Sequence, residues 1–247
     1  MLTGNPERKA VYSSASIHQR RKRILTEARR MIADVGLDGF SVRLLCRNAD
    51  VAQRTLYNAF QSKDRLIALA IREAYEDVNR YIRYRTEVDT LNGIIDRLIA
   101  VNTRNLRARN YTKAVVSLYF SPSISPDVWN ALRSMVFLNL RQWLDRLHRE
   151  GGLQPWINVE IAAGDFANIE YATINDWAVG RLTDEQYIPR LVNAVLSYAL
   201  GILKGEERAM AAAMMEQLHA TGKLPEFPKP VFDPSVEAPA PAEVEDA

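Results

Sequence analysis

The stretch TLYNAFQSKDRL, Thr55 to Leu66, decides how this chain is read. On a helix advancing about 100° per residue, residues 53–60 divide into two faces. Leu56, Ala59 and Phe60 cluster on one side, and Arg54 and Asn58 lie nearly opposite, one turn apart. Thr55 and Tyr57 fall on the flanks. The pattern breaks at Gln61 and restarts at Ser62, whose hydroxyl can cap a new helix. Asp64 in that helix's first turn suits the positive end of the helix dipole. A short helix with one apolar side and one hydrogen-bonding side has a core behind it and a polar partner, or only water, in front.

The residues upstream narrow the choice. Ser41 can cap a short helix from Val42 to Ala49, and the DVA triplet, Asp50 to Ala52, is a tight connection to the helix at Gln53. Before these, Ser16 and Gln19 have capping-box spacing. Ile24, Ala28, Met31 and Val35 form one face of an amphipathic helix, and Gly36 is its expected C-cap. A helix, a short helix, a tight turn and a second short helix form a helix-turn-helix, whose last helix is the reader. Arginine can pair with guanine O6 and N7, and asparagine with adenine N6 and N7; flank hydroxyls reach phosphates. The candidate DNA-contacting set is therefore Ser41, Arg43, Gln53, Arg54, Thr55, Tyr57, Asn58 and Lys63. Lys63 stands where a phosphate could meet it, helped by the N-terminus of the following helix. The plain alternative is an amphipathic helix with Arg54 and Asn58 in water.

The stretch ILTEARRMIADVGLDGFSVRLLCRNADVAQRTLYNAFQSKDRL resembles the N-terminal domain of the TetR family of bacterial transcriptional regulators. Gly36, Phe40, Ser41, Val51, Thr55, Leu56, Tyr57, Phe60, Lys63, Asp64 and Leu66 match the family pattern, and the resemblance spans residues 17–66. There are departures. Asp50 stands where the family usually has Gly, and Asp tolerates the left-handed conformation better than most residues. Ala52 replaces a small polar cap, at a cost of about 1 kcal/mol, with Asp50 as a possible substitute. Ala59 stands where an aromatic is common. The resemblance implies an all-α chain: an N-terminal three-helix helix-turn-helix domain and a C-terminal helical domain that binds a small molecule and forms a homodimer. It implies a DNA-binding regulator, more often a repressor, on a palindromic operator of double-stranded DNA.

Composition agrees in part. The charge is uneven: 13 Lys and Arg stand against 6 Asp and Glu in residues 1–65, and 19 against 24 in the remainder. A polyanion partner at the basic end and an uneven solvated surface both fit. The run HQRRKR, His18 to Arg23, reads either as a phosphate or minor-groove contact or as a solvated helix face. Cys46 is the only cysteine, so an internal disulfide is excluded, and a small buried apolar role is expected. The three histidines are far apart in sequence and follow no ligand spacing, and no cofactor or metal is expected. No apolar run approaches the roughly 18–20 residues that span a bilayer, and MLTGNPERKAVYSSAS lacks the apolar centre of a signal peptide, so a cytoplasmic location without membrane contact is expected.

The boundaries expected are a disordered arm over 1–15, the helix-turn-helix domain over 16–64, the effector-binding and dimerisation domain over 65–222, and a disordered tail over 223–247. From Pro225 onward lie six of the eleven prolines and six acids against one lysine. Between them, helices are expected at about 90–108, 111–120, 126–150, 158–180, 184–204 and 206–220, with no convincing strand. Ile161, Ile169, Ile174, Leu191, Val195, Tyr198 and Ile202 offer apolar surface for a two-fold interface or fill the chain's own core. An apolar or aromatic effector would be held among Asn102, Tyr119, Phe120, Trp129, Phe137, Tyr171, Asn175 and Trp177, with Asn139 as a further polar anchor. The same aromatics also suit a plain core. Asp96, Glu170 and Asp176 are expected on solvent or in local pairs, and no catalytic set or phosphate-cradling loop appears. A helical ligand-binding or protein-interaction module that no longer reads DNA is the alternative.

Overall fold

The computed structural model describes residues 6–232 except residue 38; side chains are described from residue 16 onward, with 138 and 139 also excepted. Ten helices follow in order among these residues: α1 (Pro6–Val35), α2 (Val42–Asn48), α3 (Gln53–Phe60), α4 (Lys63–Tyr81), α5 (Leu91–Arg107), α6 (Arg109–Tyr119), α7 (Pro126–Glu150), α8 (Val159–Ala178), α9 (Asp184–Ile202) and α10 (Gly205–Thr221).

Local chemistry explains most boundaries. The Ser41 hydroxyl accepts from the Leu44 amide at 3.3 Å and the Ser62 hydroxyl from the Arg65 amide at 3.1 Å, so α2 and α4 begin where their caps stand. Thr183 and Gln186 close a full capping box at the start of α9. Asp50 adopts φ 50° in the tight connection. It supplies the turn but not a cap: Ala52 opens α3 without any side-chain hydrogen bond.

Three expectations are corrected. Helix α1 begins at Pro6, well ahead of Ser16, so Ser16 and Gln19 lie inside the helix rather than at its start. Val35 at the end of α1 is half exposed, because the last turn overruns the core that holds Ile24, Leu25, Ala28, Met31 and Ile32. No convincing strand was expected, yet beyond the end of α4 at Tyr81 a two-residue strand β1 (Ile82–Arg83) pairs antiparallel with β2 (Val231–Phe232). Phe232 stacks on Tyr81 at 5.2 Å, and Leu224 and Phe227 pack against the core. The first part of the expected disordered tail is therefore attached. Its prolines and acids dominate the composition, but its few apolar residues find the surface beside α4. The rest of the expected arm and tail, residues 1–5 and 233–247, lies outside the described residues.

One apolar cluster runs from α1 to α10. Helix α1 packs on α2, α4 and α6, so the head formed by α1–α3 is joined to the remaining helices along α1 and α4. Trp143 and Trp177 are fully buried, and Cys46 is buried as expected. Ile174, Leu191, Val195 and Ile202 are buried inside the chain and are not available to an interface; Ile161 is exposed, and Ile169 and Tyr198 are half-buried.

Candidate nucleic-acid interface

Helix α3 is built from behind. Leu56 is 0% exposed and Phe60 1% exposed, and they lock α3 into the core of the head. The Arg21 guanidinium lies 4.9 Å from the Phe60 ring centre, covering that anchor from α1. On the opposite side Gln53, Arg54, Tyr57 and Asn58 are exposed, and Thr55 is half-buried. None of these four exposed side chains makes a hydrogen bond or ion pair with the rest of the described chain. Ala59 departs from the helical-wheel reading: it is exposed, because eight residues turn only a narrow stripe toward the core.

The other expected contacts lie around this face. Arg43 is exposed on α2. The Ser41 hydroxyl is half-buried and acts as the α2 cap. The Lys63 ammonium sits 5.5 Å from the Phe40 ring centre at the start of α4. Sequence reasoning treated the basic run of α1 as a block; the structure picks out two of its members. Arg20 and Arg23 line a depression of about 350 Å³ together with Asp50, Val51, Ala52 and Thr55. Arg23 donates to the Asp50 carbonyl at 3.3 Å. The depression opens beside the start of α3, where the first amides of the helix lack a side-chain cap. The spacing of the two arginines, three residues apart on one helix face, was the available signal.

A second feature lies behind the head. A cavity of about 950 Å³ is walled by α1, α4, α5, α6, α7, α8 and Val195 of α9. Of the eight expected effector residues, only Tyr171 lines it. Six of the other seven fall into two separate groups, each built around a stacked aromatic pair. Tyr119 stacks on Tyr171 at 4.0 Å and touches the exposed Phe120 and Trp129. Phe137 and Trp129 share the Arg133 guanidinium, at 5.0 and 4.5 Å. Asn102 and Trp177 meet Tyr187 instead. Trp177 stacks on that ring at 5.0 Å, and the Tyr187 hydroxyl donates to Asn102. Asn175 is half-buried on α8, and Asn139 falls outside the described side chains.

The cavity's polar wall was not foreseen. Glu170, expected on solvent or in a local pair, is buried, and its Oε1 accepts from Asn102 Nδ2 at 2.9 Å. Burial pushes its carboxyl up to about 6, against the smaller opposing effect of that hydrogen bond. Asp96 is also buried and accepts from the Thr86 hydroxyl at 2.7 Å. The Tyr111 hydroxyl, beside the same cavity, is buried without a hydrogen-bond partner. Arg29, Arg30, Arg97, Arg104, Arg107 and Arg109 also line the space.

Residues 24–70 match the family model for bacterial regulatory proteins of the tetR family. This stretch is therefore an N-terminal domain of the tetR type. No curated protein sequence matches it. Among solved structures it is similar to NalD, the secondary repressor of the MexAB-OprM multidrug efflux pump in Pseudomonas aeruginosa. That match is 18% identical and covers 76% of this chain and 97% of NalD, with TM-score 0.51. A TetR transcriptional regulator from Rhodococcus sp. RHA1 is 15% identical over 74% of this chain and 96% of its own, with TM-score 0.55. Thermus thermophilus FadR, a TetR family transcriptional repressor in complex with lauroyl-CoA, is 15% identical over 75% and 96%, with TM-score 0.57. At these identities the likeness is one of fold.

Proposed function

We propose that this chain represses transcription as a homodimer bound to a palindromic operator and is released by a small molecule held in the 950 Å³ cavity. The observation that carries the DNA reading is the face of α3. Four exposed side chains without partners stand on a helix whose other side is anchored by Leu56 and Phe60. Arg54 and Asn58 are the base readers, and Gln53 reaches a base edge from the helix start. Tyr57, Thr55, Ser41, Arg43 and Lys63 hold phosphates and set the register. Arg20 and Arg23 add a phosphate contact from α1, beside the uncapped start of α3.

The dimer places two reading helices in successive major grooves, about one turn of DNA apart. Support comes from the outer faces of α8 and α9, which leave Ile161, Ala172, Ser197 and Gly201 exposed, residues small or apolar enough for close packing. The effector reading draws support from the place of the cavity. Its wall includes Arg29, Arg30 and Ala33 of α1, so a molecule inside touches the head itself. A ligand that prefers one position of α1 shifts the spacing of the two heads, and by linkage operator binding weakens that ligand equally. Repression, rather than activation, accords with the repressor roles named for NalD and FadR.

Selection of bound duplexes from a random pool with the purified chain tests the DNA reading. An enriched inverted repeat with half-sites about one helical turn apart, or a multiple of it, is the expected result. Enrichment of no sequence, or of a single isolated half-site, sinks the operator reading.

A further inference from the structure

We propose that the molecule taken by the cavity is an amphipathic anion, a carboxylate or phosphate monoester on an apolar body, with its charged end on Arg104 and Arg107. The proposal rests on the effector reading above and names the chemistry of that same site.

The cavity has two chemically different parts. Its inner wall is apolar and buried, with Ile94, Val116, Leu140 and Phe166 among its residues. Its solvent side carries Arg30 and Arg107, which are exposed, and Arg29, Arg104 and Arg109, which are half-buried, with Asp34 as the one exposed acid among the lining residues. Some of this charge is already satisfied. Arg29 reaches Asp77 at 3.2 Å and Glu73 at 3.8 Å, and Arg109 pairs with Asp184. Arg104 and Arg107 carry no ion pair among the described residues. They lie three residues apart in the last turn of α5, on one helix face, and both border the space. The helix dipole favours cations at that end, which accounts for their position along the helix. It does not account for two uncompensated guanidiniums beside a space of this size, where an anion would be held by paired, charge-assisted hydrogen bonds.

A cationic ligand is the competing chemistry, since Glu170 is a buried acid on the same wall. Two features weigh against it. Glu170 already accepts from Asn102, and a ligand's ammonium would have to pass the arginine rim to reach it.

Binding of decanoate, decyl phosphate, decanol and decylamine to the full chain, measured by calorimetric titration, tests the class. Decanoate or decyl phosphate should bind at least tenfold more tightly than decanol, with affinity falling as salt rises; which of the two is tighter separates carboxylate from phosphate. The double variant Arg104→Gln, Arg107→Gln should lose tenfold or more for the anions and keep its affinity for decanol. The double lysine variant should recover most of the loss, which a merely damaged fold would not do. The inference is overturned if decanol matches the anions, if neither anion binds, or if decylamine binds more tightly and depends on Glu170. If an anion binds as expected but leaves affinity for the selected DNA unchanged, the ligand class stands and the effector reading fails.

Discussion

Helix α3 and the cavity wall both set arginines beside large apolar side chains, yet Arg54 and Arg29 end in opposite states. On α3, Arg54 is exposed with no partner, and the apolar anchors behind it are wholly enclosed. At the cavity, Arg29 is tied to the Ala70 carbonyl, Glu73 and Asp77 while the apolar residues near it face an open space. A helix of eight residues presents one face to the core and one to solvent, so its polar side chains have few neighbours to choose from. A wall assembled from seven helices offers many, and which arginine stays free depends on which acid arrives from elsewhere.

The comparison breaks first at the anchor. Phe60→Ala should cost about 3–5 kcal/mol in urea unfolding, because a filled, enclosed site loses its ring, and binding to every duplex should fall together. A cost below about 1 kcal/mol would mean that α3 is not held as described. The reading face comes next. Arg54→Ala should leave stability nearly unchanged but relax preference at one base position by roughly 1–3 kcal/mol in competition binding. Lys63→Ala should instead weaken all sequences alike and flatten the salt dependence by about one ion. Exchange of those two outcomes would reverse the assignment of reader and clamp.

Glu170 sharpens the contrast from the cavity side. Its carboxyl titrates near 6 in the folded chain against an ordinary 4.5, so the folded state holds the proton more tightly than the unfolded one. The protonated group therefore carries no penalty below about pH 4.5, and stability is lost as pH rises through about 6. Glu170→Gln should gain about 2 kcal/mol at pH 8 and almost nothing at pH 4. A gain independent of pH would show that charge burial is not the cause.

The smallest effect lies at the start of α3. Ala52→Ser should add the missing cap and about 1 kcal/mol of stability. Ala52→Asp should stabilise the free protein by a similar amount, yet weaken binding to every duplex, since the new carboxylate would occupy the place between Arg20 and Arg23 expected for a phosphate. Tighter DNA binding by the aspartate variant would remove α3's first turn from the interface.

Much of the head was legible because its signals are local. The caps Ser41 and Ser62, the turn at Asp50 and the two faces of α3 each depend on residues within a few positions of one another. The same holds for the capping box that opens α9. The residues that line the cavity were not legible in this way. Aromatic density around 119–177 pointed to Tyr119, Trp129 and Trp177, which instead stack on Tyr171 or Tyr187 or lie at the surface. Glu170, Tyr111 and Arg104 carry no sequence signal of their own, since their roles come from partners on other helices or from lacking one.

The sequence by itself determined an all-helical chain, a helix-turn-helix with Arg54 and Asn58 facing away from Leu56 and Phe60, and its likeness to the TetR family. Helical period and capping are short-range effects that a run of eight to twenty residues contains in full. Only the tertiary structure decided that Val231 and Phe232 return to pair beside α4, and that the open space lies between the head and α5–α8. Those outcomes rest on contacts between residues tens to more than a hundred positions apart. Their energies come from burial and pairing across helices, which no periodicity along the chain records.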